Sequence, residues 1–68
     1  MAKGLMYIIP IPSSPTPAAI RKARERAKLS RADAAKLIYK SVRSWEKWEM
    51  GERPMDPAFW HLFRLLSV

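Results

Sequence analysis

Cysteine is absent from this sequence, and histidine occurs only once, at His61. The chain therefore cannot form a disulfide bond or a thiolate zinc site, and one histidine cannot assemble a metal site or a catalytic triad within one chain. No pair of titratable residues has a recognisable catalytic spacing. An enzyme is thus the class of protein that the sequence favours least. We expect no metal, no cofactor and no small-molecule ligand.

Long apolar runs are also missing. The stretch Leu5 to Ile11 is apolar, but it is interrupted by Pro10 and is far too short to span a bilayer as a helix. A secretory signal peptide is a weak alternative, because the apolar core is short and a single lysine is a poor basic flank. We therefore expect a cytoplasmic protein with no membrane partner.

Acidic residues are scarce, with six Asp and Glu against thirteen Lys and Arg, and the formal net charge is +7. Residues 21–47 hold ten basic and three acidic side chains, which accounts for the whole net charge. Positive charge concentrated in one part of a small domain favours a polyanionic partner such as nucleic acid. The alternative is a solvated basic surface without a partner.

Sixty-eight residues are enough for one small domain with a thin core, which oligomerisation would help to stabilise. We predict an N-terminal arm over residues 1–16 and an all-α domain over residues 17–68. The arm is rich in β-branched residues, but its prolines lack the N–H that a sheet requires. They restrict it to an extended segment or a short edge strand.

A first helix is predicted over about residues 17–29. Thr16 is a good N-cap, and Pro17 suits the first helical position because its missing N–H has no partner there in any case. The apolar residues of this segment recur at helical spacing on one side, opposite its basic residues. That basic side is either a phosphate-binding face or simply the solvated side of the helix.

The centre of the chain has the pattern of two short helices joined by a tight turn. Ser30, with Asp33 three positions later, predicts an N-cap and a second helix over about residues 31–37. Ser41 predicts another cap and a third helix over about residues 42–49. A turn of three or four residues between such helices is typical of the helix-turn-helix motif, whose second helix enters the DNA major groove.

The apolar residues of these two helices predict the core. Trp45 and Trp48 lie three positions apart, opposite a polar face, so we expect both to be buried. Exposed tryptophans would instead suggest a stacking platform for single-stranded nucleic acid. The second helix is predicted to bury three small or aliphatic side chains, Ala34, Ala35 and Ile38.

A fourth helix is predicted over about residues 57–67, after a C-cap at Gly51 and a new start at Asp56 and Pro57. Its apolar stripe consists of Phe59, Leu62, Phe63 and Leu66. Further apolar residues lie outside that stripe, which implies a partner surface. We therefore predict a homodimer interface formed by these residues and the apolar arm, namely Ile8, Ile9, Trp60, Leu65 and Val68.

The segment from Ile20 to Gly51 resembles the helix-turn-helix of the Cro/CI-type, or XRE, regulators of phages and bacteria. The likeness rests on Ser30, Ala35, Ser41 and the W-E-x-G ending at Gly51. It implies a compact four- or five-helix domain that binds a palindromic operator as a dimeric repressor, for example at its own promoter. The small size and the ending PMDPAFWHLFRL also resemble short phage regulators, including the anti-CRISPR-associated repressors.

The resemblance also implies a role for individual residues. Arg31 would contact a phosphate or a base edge, and Arg53 would meet distant phosphates. Ser41, Val42, Arg43 and Lys47 would face the major groove, flanked at the DNA backbone by Lys40 and Ser44. Arg24 would form a structural ion pair with Glu49.

One residue departs from the family pattern. Tyr39 stands in the turn where the family usually has glycine. A tyrosine with positive φ would be strained, so we expect this turn to have a different shape.

Two further functional hypotheses remain open at this point. An antitoxin-type protein-interaction module would use the apolar arm and the fourth helix, and it could bind DNA as well. An RNA-binding or single-strand-binding protein would need Trp45 or Trp48 to be exposed.

Overall fold

The structure, a computed structural model, describes residues 14–67. Within this range the chain forms four helices and no strand: α1 (Pro17–Arg26), α2 (Arg31–Leu37), α3 (Val42–Met50) and α4 (Pro57–Leu66). The all-α fold predicted from the sequence is confirmed. Most of the predicted arm, with Ile8 and Ile9, lies outside the described residues, as does Val68.

Each helix begins after a residue whose side chain accepts a hydrogen bond from a backbone N–H of the first turn. The four pairs of acceptor and donor are Thr16 with Ala19 (3.1 Å), Ser30 with Asp33 (3.0 Å), Ser41 with Ser44 (3.2 Å) and Asp56 with Ala58 (2.8 Å). Proline occupies the first position of α1 and of α4. These caps satisfy N–H groups that have no partner within the helix, and they confirm the predicted helix starts.

Helix α1 ends at Arg26, three residues earlier than predicted, because Lys28 adopts a left-handed conformation with a φ of 62°. The N–H of Lys28 bonds to the carbonyl of Glu25 at 2.9 Å, and the N–H of Leu29 bonds to the carbonyl of Arg24 at 3.2 Å. This pair of bonds is a Schellman motif, which satisfies the last carbonyls and reverses the chain. The reversal brings Ser30 to the start of α2.

Helix α2 ends in the same way, with Tyr39 at the left-handed position and a φ of 62°. The expectation that tyrosine would change the shape of this turn is therefore wrong. The two bonds of the motif, from the N–H of Tyr39 to Lys36 (3.1 Å) and from that of Lys40 to Ala35 (2.9 Å), hold the backbone there. Gly51, with a φ of 79°, ends α3 as predicted, one residue later than the expected boundary.

The core is an aromatic cluster closed by small residues of α2. Trp45, Trp48 and Phe63 are buried, and the rings of Trp45 and Phe63 are 4.9 Å apart. Ala34 and Ala35 are fully buried, so α2 and α3 approach closely. The prediction of a tryptophan core is confirmed. Ile38 is also buried, as predicted. Met55, from the loop before α4, is buried as well, although the sequence did not predict it.

Helix α4 packs through fewer residues than its predicted stripe. Phe63 is buried and Phe59 and Leu62 are half-buried, but Leu66 is 48% exposed and lies outside the packed face. Trp60, predicted as a surplus surface residue, instead packs partly against the core, and Arg64 lies 5.5 Å from its ring. The helix ends at Leu66, one residue before the predicted boundary.

Among residues 14–67, no helix combines the length and the apolar character needed to cross a bilayer.

Candidate nucleic-acid interface

The orientation of α3 is fixed by a carboxylate near its C-terminal end. The side chain of Glu49 is only 3% exposed and accepts four hydrogen bonds. Arg24 of α1 donates through Nε to Oε2 (2.5 Å) and through Nη2 to Oε1 (3.2 Å). Trp45 Nε1 donates to Oε2 at 2.6 Å, and Arg31 Nε of α2 donates to Oε1 at 3.2 Å. Glu49 therefore links α1, α2 and α3.

The electrostatics of this cluster favour the ionised carboxylate. Burial alone would raise the pKa of Glu49, but the hydrogen bonds from Arg24, Trp45 and Arg31, with the positive charge of Arg24, outweigh it. The pKa of Glu49 consequently lies below its ordinary value. The hydrogen bonds to Glu49 in turn raise the pKa of Arg24. The structural ion pair that the resemblance implied is thus present in the structure.

With Trp45 and Trp48 turned into the core, α3 presents its other side to solvent. A concave groove of about 250 Å³ runs beside this side of the helix. Its lining contains four cations and one carboxylate, together with serine, proline and aromatic side chains. We call it the basic groove; its charged residues are Lys40, Arg43, Lys47, Arg53 and Asp56.

Six of the eight residues assigned to DNA contact line this basic groove: Lys40, Ser41, Arg43, Ser44, Lys47 and Arg53. They come from the α2–α3 turn, from α3 itself and from the loop after it. Arg43 and Lys47 also line a second hollow with Met50. These two cations therefore form a ridge between the two hollows.

The remaining two residues of that set lie elsewhere. Val42 is 41% exposed at the start of α3 but does not line the groove. Arg31 is half-exposed and its Nε is bound to Glu49, a pairing that the sequence analysis missed. The guanidinium of Arg31 keeps its other N–H groups partly accessible to a further acceptor.

Two local contacts organise the side chains at the mouth of the groove. Ser41 caps α3, and its hydroxyl also bonds to the hydroxyl of Ser44 at 3.1 Å. The ammonium group of Lys40 lies 4.8 Å from the centre of the Phe59 ring, a cation–π contact with α4. Lys40 therefore lies between α3 and α4, and Phe59 of α4 forms the other wall of the groove, which was not expected from the sequence.

The predicted dimer residues that the structure describes have different environments. Leu65 is 72% exposed on α4, whereas Trp60 is half-buried.

Among residues 14–67, no group of three or more side chains suited to a metal ion is found. A comparison with protein-family models gives no match for this chain, and a search of curated proteins finds no significant relative.

Proposed function

We propose that this chain is a sequence-specific regulator that binds double-stranded DNA through α3, as a dimeric repressor at a palindromic operator. The observation that carries the proposal is the convergence of Lys40, Arg43, Lys47 and Arg53 on one groove beside a capped, exposed helix. The Cro/CI-type assignment and a cytoplasmic location belong to the same proposal.

The arrangement of α2 and α3 supports this mode of binding. The two helices are joined by Ile38 to Ser41, and burial of Ala34 and Ala35 lets them pack closely. In helix-turn-helix proteins the second helix lies in the major groove and its N-terminal residues contact base edges, while the first crosses the DNA backbone. The exposed side chains at the start of α3 are suited to that position.

The chemistry of the ridge supports sequence reading rather than charge attraction alone. Arg43 is exposed, and its guanidinium can donate two parallel hydrogen bonds to O6 and N7 of a guanine. Val42, beside it, can pack against a thymine methyl group. The other cations of the groove are suited to phosphates, which position a protein on DNA without specifying a base.

The proposed dimer rests on α4. Leu65 and Leu66 are adjacent, apolar and exposed at the end of the helix. Covering them with a second copy would remove apolar surface from water. A palindromic operator requires such a two-fold dimer, with one recognition helix for each half-site. The same exposed leucines favour one second candidate, an antitoxin-type module that binds a protein through α4.

Selection from a pool of random DNA duplexes tests the proposed function. The purified full chain should enrich a palindromic sequence. If Lys40, Lys47 and Arg53 of the groove and Arg31 of α2 each neutralise one phosphate, the slope of log K against log salt should be about −3.6 per protomer. Enrichment of no sequence, with equal binding to every duplex, would contradict a specific regulator.

A charge-reversal experiment identifies the surface responsible. Arg43→Glu with Lys47→Glu should abolish binding to the selected operator. The matched control, Arg21→Glu with Lys22→Glu, makes the same change in charge at exposed positions of α1 and should weaken binding only moderately. Equal losses in both variants would mean that the groove has no special role.

A further inference from the structure

The α2–α3 turn contains a side chain that the fold alone does not explain. Tyr39 adopts a φ of 62°, in the left-handed region where a Cβ atom crowds the following carbonyl and glycine is favoured. Its backbone needs no side chain to keep this shape, because the motif is held by N–H groups of Tyr39 and Lys40. The tyrosine therefore adds strain to the turn.

The strain is not offset by packing. Tyr39 is 90% exposed, the largest exposure among the large apolar residues in the described part of the chain. Lys28 adopts the same φ at the end of α1, but its side chain is one that water solvates well. An aromatic ring held in solvent by a strained residue stabilises nothing within residues 14–67. Strained residues of this kind are found at functional sites.

The position of Tyr39 indicates what it contacts. It directly precedes Lys40, which lines the basic groove, and it lies two residues before the N-cap of α3. In the docking described above, the chain passes from the DNA backbone into the major groove at this turn. A side chain that projects from the turn then meets the edge of the DNA major groove, where sugars and phosphates lie.

We propose that Tyr39 is a positioning residue for DNA, with its hydroxyl donating a hydrogen bond to a phosphate oxygen and its ring lying against the adjacent deoxyribose. This inference rests on the proposed function. Tyrosine is among the side chains that contact phosphates in this way. Because the phenol is neutral, the contact releases no counterion, which distinguishes it from those of lysine and arginine.

Two substitutions separate this role from a structural one. Tyr39→Phe removes only the hydroxyl and should weaken binding about two- to tenfold per half-site, the loss expected for one hydrogen bond. The loss should be the same for the operator and for random duplexes, and the salt slope should not change. Tyr39→Gly should raise the Tm, by on the order of 5 °C, while weakening binding at least as much.

The matched control is Lys28→Gly, which relieves the same backbone conformation at the end of α1. It should also raise the Tm. A rise in both variants would show that the gain in stability comes from glycine at the left-handed position. Wild-type affinity in Tyr39→Phe, or undiminished affinity in Tyr39→Gly, would overturn the inference while the operator selection still supports the proposed function. A changed salt slope in Tyr39→Phe would overturn it too. A wild-type chain that binds no duplex would overturn both proposals.

Discussion

Arg24 and Glu49, twenty-five residues apart in the chain, form a bidentate ion pair that joins α1 to the C-terminal end of α3. The pair is largely shielded from water, with 13% of the Arg24 side chain and 3% of the Glu49 side chain exposed. Arg24 also donates to the carbonyl of Leu29 at 3.1 Å, within the turn after α1. All these bonds need the planar guanidinium, whose donors point in fixed directions.

Removing the arginine should therefore destabilise the domain. Arg24→Ala leaves a buried carboxylate without its main partner, and we expect a loss of about 3–5 kcal/mol in the free energy of unfolding. Urea denaturation followed by circular dichroism measures this loss. Arg26→Ala, at an exposed position of the same helix, is the control and should change stability little. Unchanged stability in Arg24→Ala, with only a flatter salt dependence of DNA binding, would make Arg24 a phosphate contact.

Acid should weaken the same cluster. The pKa of Glu49 is lower in the folded chain than its ordinary value of 4.5, so the unfolded chain takes up the proton more readily. The contribution of Glu49 is then complete above that ordinary value and is lost as the pH falls through the lower folded pKa. Glu49→Gln should give a shallower loss of stability in this acidic range than wild type. Glu52→Gln, at an exposed position, should keep the wild-type profile.

Replacing Arg43 and Arg31 by alanine should weaken DNA binding in different ways. Arg43→Ala should cost about 1–3 kcal/mol per half-site and relax the preference at one base pair. Arg31→Ala should weaken all sequences alike and reduce the salt slope by about one. The two base pairs affected by Arg43 in a dimer should lie about 34 Å apart, or a multiple of this. Identical motifs selected by wild type and Arg43→Ala would show that α3 does not read the site.

The proposed dimer should have a mass of about 16 kDa, twice the 7.9 kDa of one chain. Sedimentation at micromolar concentration should detect it, and Leu65→Lys should give a folded monomer with weaker operator binding. Trp60 was also predicted in the interface, but Trp60→Lys would not test the dimer cleanly, because Trp60 packs partly against the core. Deletion of residues 1–12 tests the arm separately. A wild-type chain that stays monomeric both free and on DNA would exclude this assembly.

The helix starts could be predicted because their causes are local. Ser30 and Ser41 cap helices through hydrogen bonds to N–H groups three residues away, so the pattern is visible in the sequence. The end of α1 could not be predicted, because lysine, which occupies the left-handed position at Lys28, is not a residue type that signals such a turn. There the packing of the next helix outweighs the low preference of lysine for a positive φ.

Contacts between distant parts of the chain were predictable only where the resemblance supplied them. The Arg24–Glu49 pair was expected on that basis, but the second ion pair, between Arg31 and the same carboxylate, was not. The resemblance also supplied residues for DNA contact, six of which line the basic groove, whereas the wall formed by Phe59 depends on how α4 folds back. Such placement depends on tertiary packing, which local spacing does not determine.

Under the proposed function, the left-handed lysine after α1 has a consequence for how the protein can change its DNA target. New specificities require substitutions on α3, and many of these lower stability in a domain that has little to spare. A non-glycine residue in this conformation costs about 1–3 kcal/mol, part of which Lys28→Gly would recover without touching the core or the groove. The end of α1 is thus a place where a compensating mutation could arise first. The stability gained there would offset the cost of later substitutions on the proposed recognition helix.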